Sequence, residues 1–233
     1  MAHPKRKNIV ALTGAGISAP SGVDTFRDPD GIWSKFSIEE VATPEAWQND
    51  PGKVLQFYNG RRSQLAHVEP NEAHFALARL EEKFNVTIVT QNIDDLHERA
   101  GSQNIIHLHG QLTIAQSTVD ESLLYNINTN PINIGDYCER ESQLRPNVVW
   151  FGEAVPEIEN SIPHLQTADI LIVAGTSLNV YPAAGLIDYA KRGSEKHIVD
   201  LDTSFIPLGF TPHQGSIEIT LPRLVTSLLN NLR

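Results

Sequence analysis

The chain has 233 residues, of which 40% are hydrophobic, 20% charged and 7% aromatic, and this composition excludes a disordered or fibrous protein. The formal net charge of −10 argues against a protein that binds the phosphate backbone of a nucleic acid. No apolar run reaches the roughly eighteen residues of a membrane helix or follows the pattern of a secretory signal, so we expect a cytoplasmic protein with no membrane partner.

Seven short runs rich in β-branched residues alternate with helical patterns along the chain. The predicted strands are 8–12, 85–90, 104–109, 147–151, 170–175, 197–201 and 216–220. Because most of these runs are almost continuously apolar and alternate with helices, they predict an α/β fold: a Rossmann-like parallel sheet with helices on both faces.

Three segments give the clearest helical patterns between and after these strands. The stretch "PNEAHFALARLEEKF" predicts a helix capped by Asn71, with an apolar face formed by Phe75, Ala76, Leu80 and Phe84. The stretch "YPAAGLIDYAKRG" has Pro182 near a helix start and Gly193 just past its end. The final stretch, "LPRLVTSLLNNLR", predicts an amphipathic helix.

Two stretches interrupt the alternation of strands and helices. Residues 35–70 are mostly helical, with "DPGKVLQFYNGRRSQL" as the clearest helix, and residues 111–145 are rich in Asn, Ser and Thr without a sustained period. We expect both to be insertions that form a smaller module. The chain would be one domain, 1–233, whose core spans about 1–34, 71–110 and 146–233.

The residues that follow the predicted strands are small or polar. They are "TGAGIS", "QNIDDLH", His109 with Gly110, "GE", "TSLN" and Asp202. In an open parallel sheet, ligands bind beyond the carboxyl ends of the strands. One composite site at this edge is therefore the economical interpretation.

The first of these exits contains a glycine pattern. Gly14, Gly16 and Ala19 form G-x-G-x-x-A after a strand, which lets backbone amides and a helix N-terminus approach a pyrophosphate. A simple tight turn is the alternative. The second strand and the acidic residue of the usual dinucleotide motif do not follow. A long loop continues instead, in which Phe26 and Arg27 could close over a cofactor.

Five blocks then resemble, in order and spacing, the sirtuin family of NAD-dependent protein-lysine deacylases. They are "GAGISAPSGVDTFRDPDGIW", "TQNIDDLHERAG", "HLHG", "LRPNVVWFGE" and "GTSLNVYPAAG", and they span residues 14–185. The resemblance implies that NAD is the cofactor. It also implies a reaction in which the acyl oxygen of a modified lysine displaces nicotinamide from ribose. The expected products are free lysine, nicotinamide and O-acyl-ADP-ribose.

The candidate for a catalytic base is a histidine at the third strand exit. His107 and His109 lie two residues apart, so both point to one sheet face, and either could also be a hydrogen-bonded core residue. The residues alone do not choose between them. The resemblance assigns the role to His109, because the family's catalytic histidine directly precedes the glycine.

The resemblance also implies which residues hold the cofactor. Gln91, Asn92 and Asp94 would bind ribose and the nicotinamide carboxamide, the last two as part of the catalytic set, although such side chains often only cap a helix. The adenosine half and phosphates would contact Gly175, Thr176 and Ser177. Asp202, which stands where the family usually has Asn, could add a contact to ribose or adenine. The cofactor set is Gly14, Ala15, Gly16, Ser18, Phe26, Arg27, Gln91, Asn92, Asp94, Gly175, Thr176, Ser177 and Asp202.

Two segments are expected to contact the acyl-lysine substrate. By resemblance, "VVWFGE" pairs with the substrate peptide as an added strand through Val149, Phe151, Gly152 and Glu153, although an ordinary buried strand is the alternative. Tyr58 and Arg61, at i and i+3 of a helix, could grip a carboxylate together. The alternative is a solvated helix face. In one sirtuin subgroup the matching pair recognises succinyl- and malonyl-lysine, so we predict a desuccinylase or demalonylase that keeps some deacetylase activity.

The chain departs from the family at its metal site. Most sirtuins bind structural zinc with two cysteine pairs between the "HG" and "VVWFGE" blocks, but here Cys138 is the only cysteine and the interval has no histidine. Because structural zinc needs four such ligands, we predict that no zinc is bound. The interval would be held by a partner chain or by packing of Leu123, Leu124, Tyr125, Ile132, Ile134 and Tyr137.

Other functions remain open from the residues. An NAD hydrolase or mono-ADP-ribosyltransferase would need the same cofactor site, and a non-catalytic NAD-binding module is a third possibility. The "VVWFGE" segment and the Tyr58–Arg61 pair favour the deacylase, and the presence of His109, Asn92 and Asp94 argues against the non-catalytic module. We expect a monomer whose partners are acyl-lysine-bearing proteins or peptides.

Overall fold

The computed structural model describes residues 6–25 and 36–231. In chain order its strands and helices are β1 (Asn8–Thr13), α1 (Ile38–Val41), α2 (Pro44–Asn49), α3 (Pro51–Leu65), α4 (Glu72–Arg79), β2 (Asn85–Thr90), α5 (Leu96–Arg99), β3 (Ile105–His107), β4 (Gly110–Ser117), β5 (Leu124–Asn126), β6 (Leu144–Val148), α6 (Glu157–Thr167), β7 (Ile170–Ala174), β8 (Glu195–Asp200), β9 (Thr211–Gln214) and α7 (Ile217–Asn230). Short 3-10 helices span Ala15–Ile17, Ala19–Ser21, Leu80–Glu82 and Ala183–Tyr189.

Six strands form a parallel sheet in the order β3-β2-β1-β7-β8-β9. Successive residues of a strand face opposite sides. Accordingly, Ile9 and Ala11 of β1 pack with α4 and α7, whereas Val10 and Leu12 pack with α6 and the 3-10 helix Ala183–Tyr189. The predicted Rossmann-like fold is confirmed. The strand order reverses between β1 and β7, which is where such sheets leave a crevice for ligands.

Two predicted strands are corrected by the structure. Residues 216–220 begin α7, because Ile217, Leu221 and Leu224 recur at helical spacing and are all buried against the sheet. The run 147–151 does not join the parallel sheet. Its first residues end β6, which pairs antiparallel with β4, and the chain then turns after Val148.

The predicted helices are largely present, with two differences. The "YPAAGLIDYAKRG" segment forms a 3-10 helix, Ala183–Tyr189, rather than an α-helix. In α4, Asn71 caps the first turn by accepting a hydrogen bond from Ala73 N, as predicted, but Phe75 is 41% exposed. Phe75 precedes the buried Ala76 by one residue, about 100° around the helix, so its side chain turns away from the sheet. No helix in the described ranges is long and apolar enough to cross a membrane.

A smaller module lies beside the parallel sheet. Its three strands form an antiparallel sheet in the order β5-β4-β6. Helices α1 and α3 contribute Val41, Val54 and Phe57 to an apolar cluster that also contains Leu112 and Trp150. The proposed boundaries at 110/111 and 145/146 remain a proposal, since β4 and β6 begin just before them.

Within this module, two polar side chains of α3 hold the segment 111–145. Asn59 donates to Ile132 O at 2.8 Å and accepts from Ile132 N at 3.0 Å. The fully buried Arg62 donates to Leu112 O at 2.7 Å and to Asn59 Oδ1 at 2.6 Å. The interpretation of "RR" as a solvated face is therefore wrong for Arg62.

Fewer apolar side chains of segment 111–145 are buried than the sequence predicts. Ile132 is buried against Leu55 and Ala115. By contrast, Leu124, Ile134 and Tyr137 are each more than half exposed. Hydrogen bonds to α3, in addition to apolar packing, therefore stabilise this segment.

Replacing Asn59 with alanine is expected to lower the free energy of unfolding by about 2 kcal/mol. The change removes both bonds to Ile132 and leaves the Arg62 guanidinium with Leu112 O as its remaining partner among the described residues. Urea unfolding checks this, with Gln56→Ala on the exposed face of the same helix as a control that stays within about 0.5 kcal/mol of the wild type. Equal stability of the two variants would contradict the role of Asn59.

Candidate functional site

The loops after β1 and β7 approach each other through glycine. Gly14 N donates to Ala174 O at 3.2 Å, and Gly16 N donates to Gly175 O at 2.9 Å. A Cβ atom on Gly175 would lie 2.4 Å from Ile17 N, so only glycine fits there. The small residues of the first loop thus let the loops after β1 and β7 lie in close contact, in addition to leaving room for a cofactor.

The first loop does not lead into the helix N-terminus that the glycine pattern predicts. Instead, the two 3-10 helices Ala15–Ile17 and Ala19–Ser21 follow Gly14. Ala15 and Gly16 are partly exposed there, while the Ser18 side chain is buried. Phe26 and Arg27 lie outside the described residues.

A buried polar network joins the exits of β1 and β2. Asn92 Nδ2 donates to Gly14 O at 3.2 Å and to Ser18 Oγ at 3.0 Å. Ser18 Oγ donates in turn to Asp94 Oδ2 at 2.8 Å. Burial raises the pKa of Asp94, although the bonds from Ser18 and from Leu96 N oppose the rise. Asp94 Oδ1 also accepts from Leu96 N at 3.2 Å, just before α5, whose N-cap residue is Asp95 and has no side-chain cap bond.

His109 lies just past β3 with its ring fixed by the backbone. Its Nδ1 is 2.9 Å from Gln91 O, and because a carbonyl oxygen can only accept, Nδ1 carries the proton. The neutral ring therefore keeps its lone pair on Nε2. Burial lowers the pKa of His109, an effect only partly opposed by the Gln91 bond. The arrangement suits a general base that is unprotonated at neutral pH.

Gly110 is required directly after this histidine. Its φ is +77°, and a Cβ atom would lie 2.1 Å from Asn147 O. The chain can therefore turn from the parallel sheet into β4 only at a glycine.

The exit of β7 is hydrogen-bonded to the loop after β2, whereas the role of Asp202 at the exit of β8 stays a prediction. Gln91 Nε2 donates to Thr176 Oγ1 at 3.0 Å, which places Thr176 beside the loop after β2, and Ser177 is exposed next to it. Asp202 lies in an exposed loop, where its carboxylate accepts from Ser204 N at 2.8 Å. No hydrogen bond in the described part of the chain links Asp202 to the other predicted site residues.

The "VVWFGE" segment is connected to His109 and then turns. Val149 N donates to His109 O at 3.0 Å, and Phe151, 48% exposed, donates its N–H to Ala42 O. Gly152 has a φ of +93°. The Glu153 carboxylate accepts from Trp150 N at 2.7 Å and forms two contacts with Arg145, at 2.8 and 3.1 Å. Glu153 therefore holds the turn in place, and its direct contact with the substrate stays a prediction.

Tyr58 and Arg61 lie three residues apart on α3, and Arg61 is close enough to Asp94 to feel its charge. Tyr58 is 4% exposed, and burial raises the pKa of its phenol, so the hydroxyl stays protonated and can donate. Burial lowers the pKa of Arg61, while the nearby carboxylates of Asp24 and Asp94 favour its charged form. Within residues 6–25 and 36–231, Arg61 forms no ion pair, and its NH1 donates to Gln64 Oε1 at 3.0 Å.

Sequence reasoning missed several residues that support the site. His74 Nε2 lies 3.5 Å from Ser18 Oγ, and His97 Nε2 lies 3.0 Å from Thr13 Oγ1. The guanidinium of Arg145 lies 3.4 Å above the Trp150 ring. The sequence could have indicated a structural role for His74, because it lies three residues after the predicted N-cap, Asn71. Its Nδ1 accepts from Asn71 N at 3.3 Å.

The residues of segment 111–145, which includes most of the antiparallel sheet, do not fit a structural metal. No group of three or more His, Cys, Asp or Glu side chains among the described residues is placed to hold a metal ion. Cys138 is buried, with its Sγ atom 3.3 Å from Ser117 Oγ. The absence of zinc stays a prediction, which elemental analysis of the purified protein would test.

Comparisons with known proteins agree over nearly the whole chain. The profile of the Sir2 family matches residues 14–182. An NAD-dependent protein deacylase of Bacteroides thetaiotaomicron is 53% identical over 199 residues, covering 83% of this chain and 85% of the relative. One from Vibrio vulnificus is 47% identical over 235 residues, covering 97% and 95%.

Solved structures give the same result. A complex of a Sir2 homologue with NAD has a TM-score of 0.84 at 38% identity, covering 98% of this chain and 92% of that one. A mutant Sir2 homologue in complex with ADP-ribose has a TM-score of 0.85 at 38% identity, covering 98% and 96%. The chain belongs to the Sir2 family.

Proposed function

We propose that this protein is an NAD-dependent protein deacylase that removes succinyl and malonyl groups from lysine and retains some deacetylase activity. The deacylase activity follows from membership of the Sir2 family and from relatives of that name that match over most of their length. The choice of acyl group is a finer proposal that rests on this chain's own residues. The proposed setting is a cytoplasmic monomer acting on acyl-lysine proteins or peptides.

The observation that carries the acyl preference is a guanidinium that forms no ion pair with the described residues and shares a helix face with a protonated phenol. Arg61 is partly buried, forms no ion pair with the described residues, and shares one helix face with Tyr58. A guanidinium in that setting stabilises a substrate carboxylate through charge-assisted hydrogen bonds. An acetyl group offers no such carboxylate, so the pair supports a dicarboxylic acyl chain.

The residues at the strand exits fit a dinucleotide. Gly14, Gly16 and Gly175 bring the two loops close together, and amide and hydroxyl groups of Asn92 and Thr176 lie next to them. When bound, NAD supplies the nicotinamide leaving group and the ribose that receives the acyl group. The chain's own part is to place His109, with Nε2 unprotonated, as the base for a ribose hydroxyl. By the family resemblance, segment 149–152 would lie along the substrate peptide.

Product analysis tests the proposal. The protein is incubated with NAD and with matched peptides that carry succinyl-, malonyl- or acetyl-lysine, and the products are followed by mass spectrometry. We expect O-acyl-ADP-ribose from all three peptides, with the highest kcat/KM for succinyl or malonyl. ADP-ribose without any change in the peptide would indicate an NAD hydrolase, and ADP-ribose attached to protein would indicate a transferase. A preference for the acetyl peptide would overturn the acyl assignment alone.

A further inference from the structure

The two histidines of "HLHG" bind consecutive carbonyl groups of the loop after β2. His109 Nδ1 lies 2.9 Å from Gln91 O, and His107 Nδ1 lies 3.1 Å from Asn92 O. Because carbonyl oxygens only accept, both Nδ1 atoms carry a proton. The backbone that presents the Gln91 and Asn92 side chains is thus held at two successive peptide units.

The second ring nitrogen distinguishes the two residues. His107 Nε2 lies 2.6 Å from Glu98 Oε1, which also accepts a hydrogen bond from Gln111 Nε2 at 3.3 Å. A carboxylate oxygen accepts as well, so Nε2 of His107 must donate. Both nitrogens of His107 therefore donate, and only the imidazolium can do this. In contrast, Nε2 of His109 is free of a proton in the neutral ring.

The groups that face His107 favour its charged form. Burial by itself lowers the pKa of His107, but the hydrogen bond and charge of Glu98, the Asn92 carbonyl and the charge of Asp94 together raise it above its ordinary value. Helix α5 also presents His97, whose pKa burial holds well below the usual range, so His97 adds no positive charge at neutral pH. On the β4 side the neighbour is the neutral Gln111.

We propose that His107 is a positioning residue of the deacylation reaction, held as an imidazolium between Glu98 and the Asn92 carbonyl, where it fixes the loop on which His109 and the Asn92 side chain depend. The proposal rests on the deacylase function. It places the charge-bearing and the proton-accepting histidine two residues apart on one strand exit. Environments that push two pKa values apart commonly assign such separate roles.

The consequence is a bell-shaped pH profile. A group whose pKa is raised by folding stabilises the fold at low pH, and that contribution is lost as the pH rises through the raised pKa. The hydrogen bonds from His107 to Glu98 and to the Asn92 carbonyl, here called the His107 clamp, therefore weaken on the alkaline side. The pKa of His109 is lowered, so its base function is lost only when the pH falls below that lowered value. Activity is highest between the two.

Variants of the clamp test the alkaline limb. The full-length protein is assayed for kcat/KM against pH with whichever acyl peptide it turns over best. Glu98→Gln keeps a hydrogen-bond acceptor but removes the charge, so the alkaline limb should move to lower pH while the acid limb stays. His107→Gln should remove the alkaline limb and lower kcat about tenfold. His164→Gln on α6, which loses a ring that contacts the Thr87 hydroxyl, should match the wild type. An alkaline limb unchanged in Glu98→Gln would overturn the proposal.

Nuclear magnetic resonance gives a readout that does not depend on catalysis. In protein with ¹⁵N-labelled histidine at about pH 6.5, the ordinary pKa of the side chain, His107 should show both ring nitrogens protonated. His109 should show only Nδ1 protonated under the same conditions. A neutral His107 there would refute the clamp. If the charge states are as expected but no peptide is deacylated, the proposed function is at fault rather than the assignment of charge.

Discussion

Replacing His109 with alanine is expected to lower kcat about a thousandfold, within the range by which positioned general bases accelerate reactions. The lone pair on Nε2, fixed by the Nδ1 bond to Gln91 O, is the feature that the change removes. NAD affinity, measured by calorimetry, should change little, because the residues proposed to bind the cofactor at the other strand exits are unchanged. Steady-state assays with the best acyl peptide check the loss.

The loss of activity in His109→Ala should also differ from the loss in a His107 variant. A variant at His107 should lose about tenfold and change the alkaline limb of the pH profile, whereas His109→Ala should lose activity at every pH. If His109→Ala retained a tenth or more of the wild-type turnover, the base would have to be another residue.

Replacing Arg61 with methionine is expected to lower kcat/KM for the succinyl peptide about a hundredfold, as one charge-assisted contact to a carboxylate contributes up to about 3 kcal/mol. The acetyl peptide has no carboxylate in the acyl chain, so its kcat/KM should change less than about threefold. Competition between the two peptides in one reaction measures the ratio directly.

A matched control lies on the same helix. Lys53→Met removes one positive charge from α3 at an exposed position paired with Glu40, away from Tyr58. It should leave the succinyl-to-acetyl ratio unchanged. Intact succinyl turnover in Arg61→Met together with a fall in acetyl turnover would contradict the acyl assignment.

The sheet and its polar edge could be predicted because both leave a local signal. Runs rich in β-branched residues at 8–12, 85–90 and 170–175 indicate buried parallel strands, and small or polar residues directly follow each of them. The edge where these strands end therefore follows from the sequence once the sheet is known to be parallel.

The run 216–220 shows where a local pattern fails. Ile217 and Ile219 alternate with polar residues as a strand would, yet Ile217 is buried and Ile219 is half exposed. The deciding contacts come from Leu221 and Leu224, which continue the helical spacing of Ile217. Short segments of this kind are set by the burial of their neighbours rather than by their own propensity.

The polar network of the site could not be predicted in its details. Ser18 meets Asn92 and Asp94 across 74 and 76 residues, and no local spacing encodes that contact. The adjacent pair Arg61 and Arg62 reads as two surface charges, but successive helix residues point about 100° apart. One of them faces the site, while the other is buried against Leu112 and Asn59.

The central claim is that one cleft at the carboxyl ends of the parallel strands holds the nucleotide sugar, the acylated lysine and His109 together. A crystal structure of the protein with NAD and a succinyl-lysine peptide tests it most directly. We predict His109 Nε2 facing the nicotinamide ribose and the succinyl carboxylate bound between Tyr58 and Arg61. A cofactor bound elsewhere, or a His109 side chain directed away from it, would contradict the account.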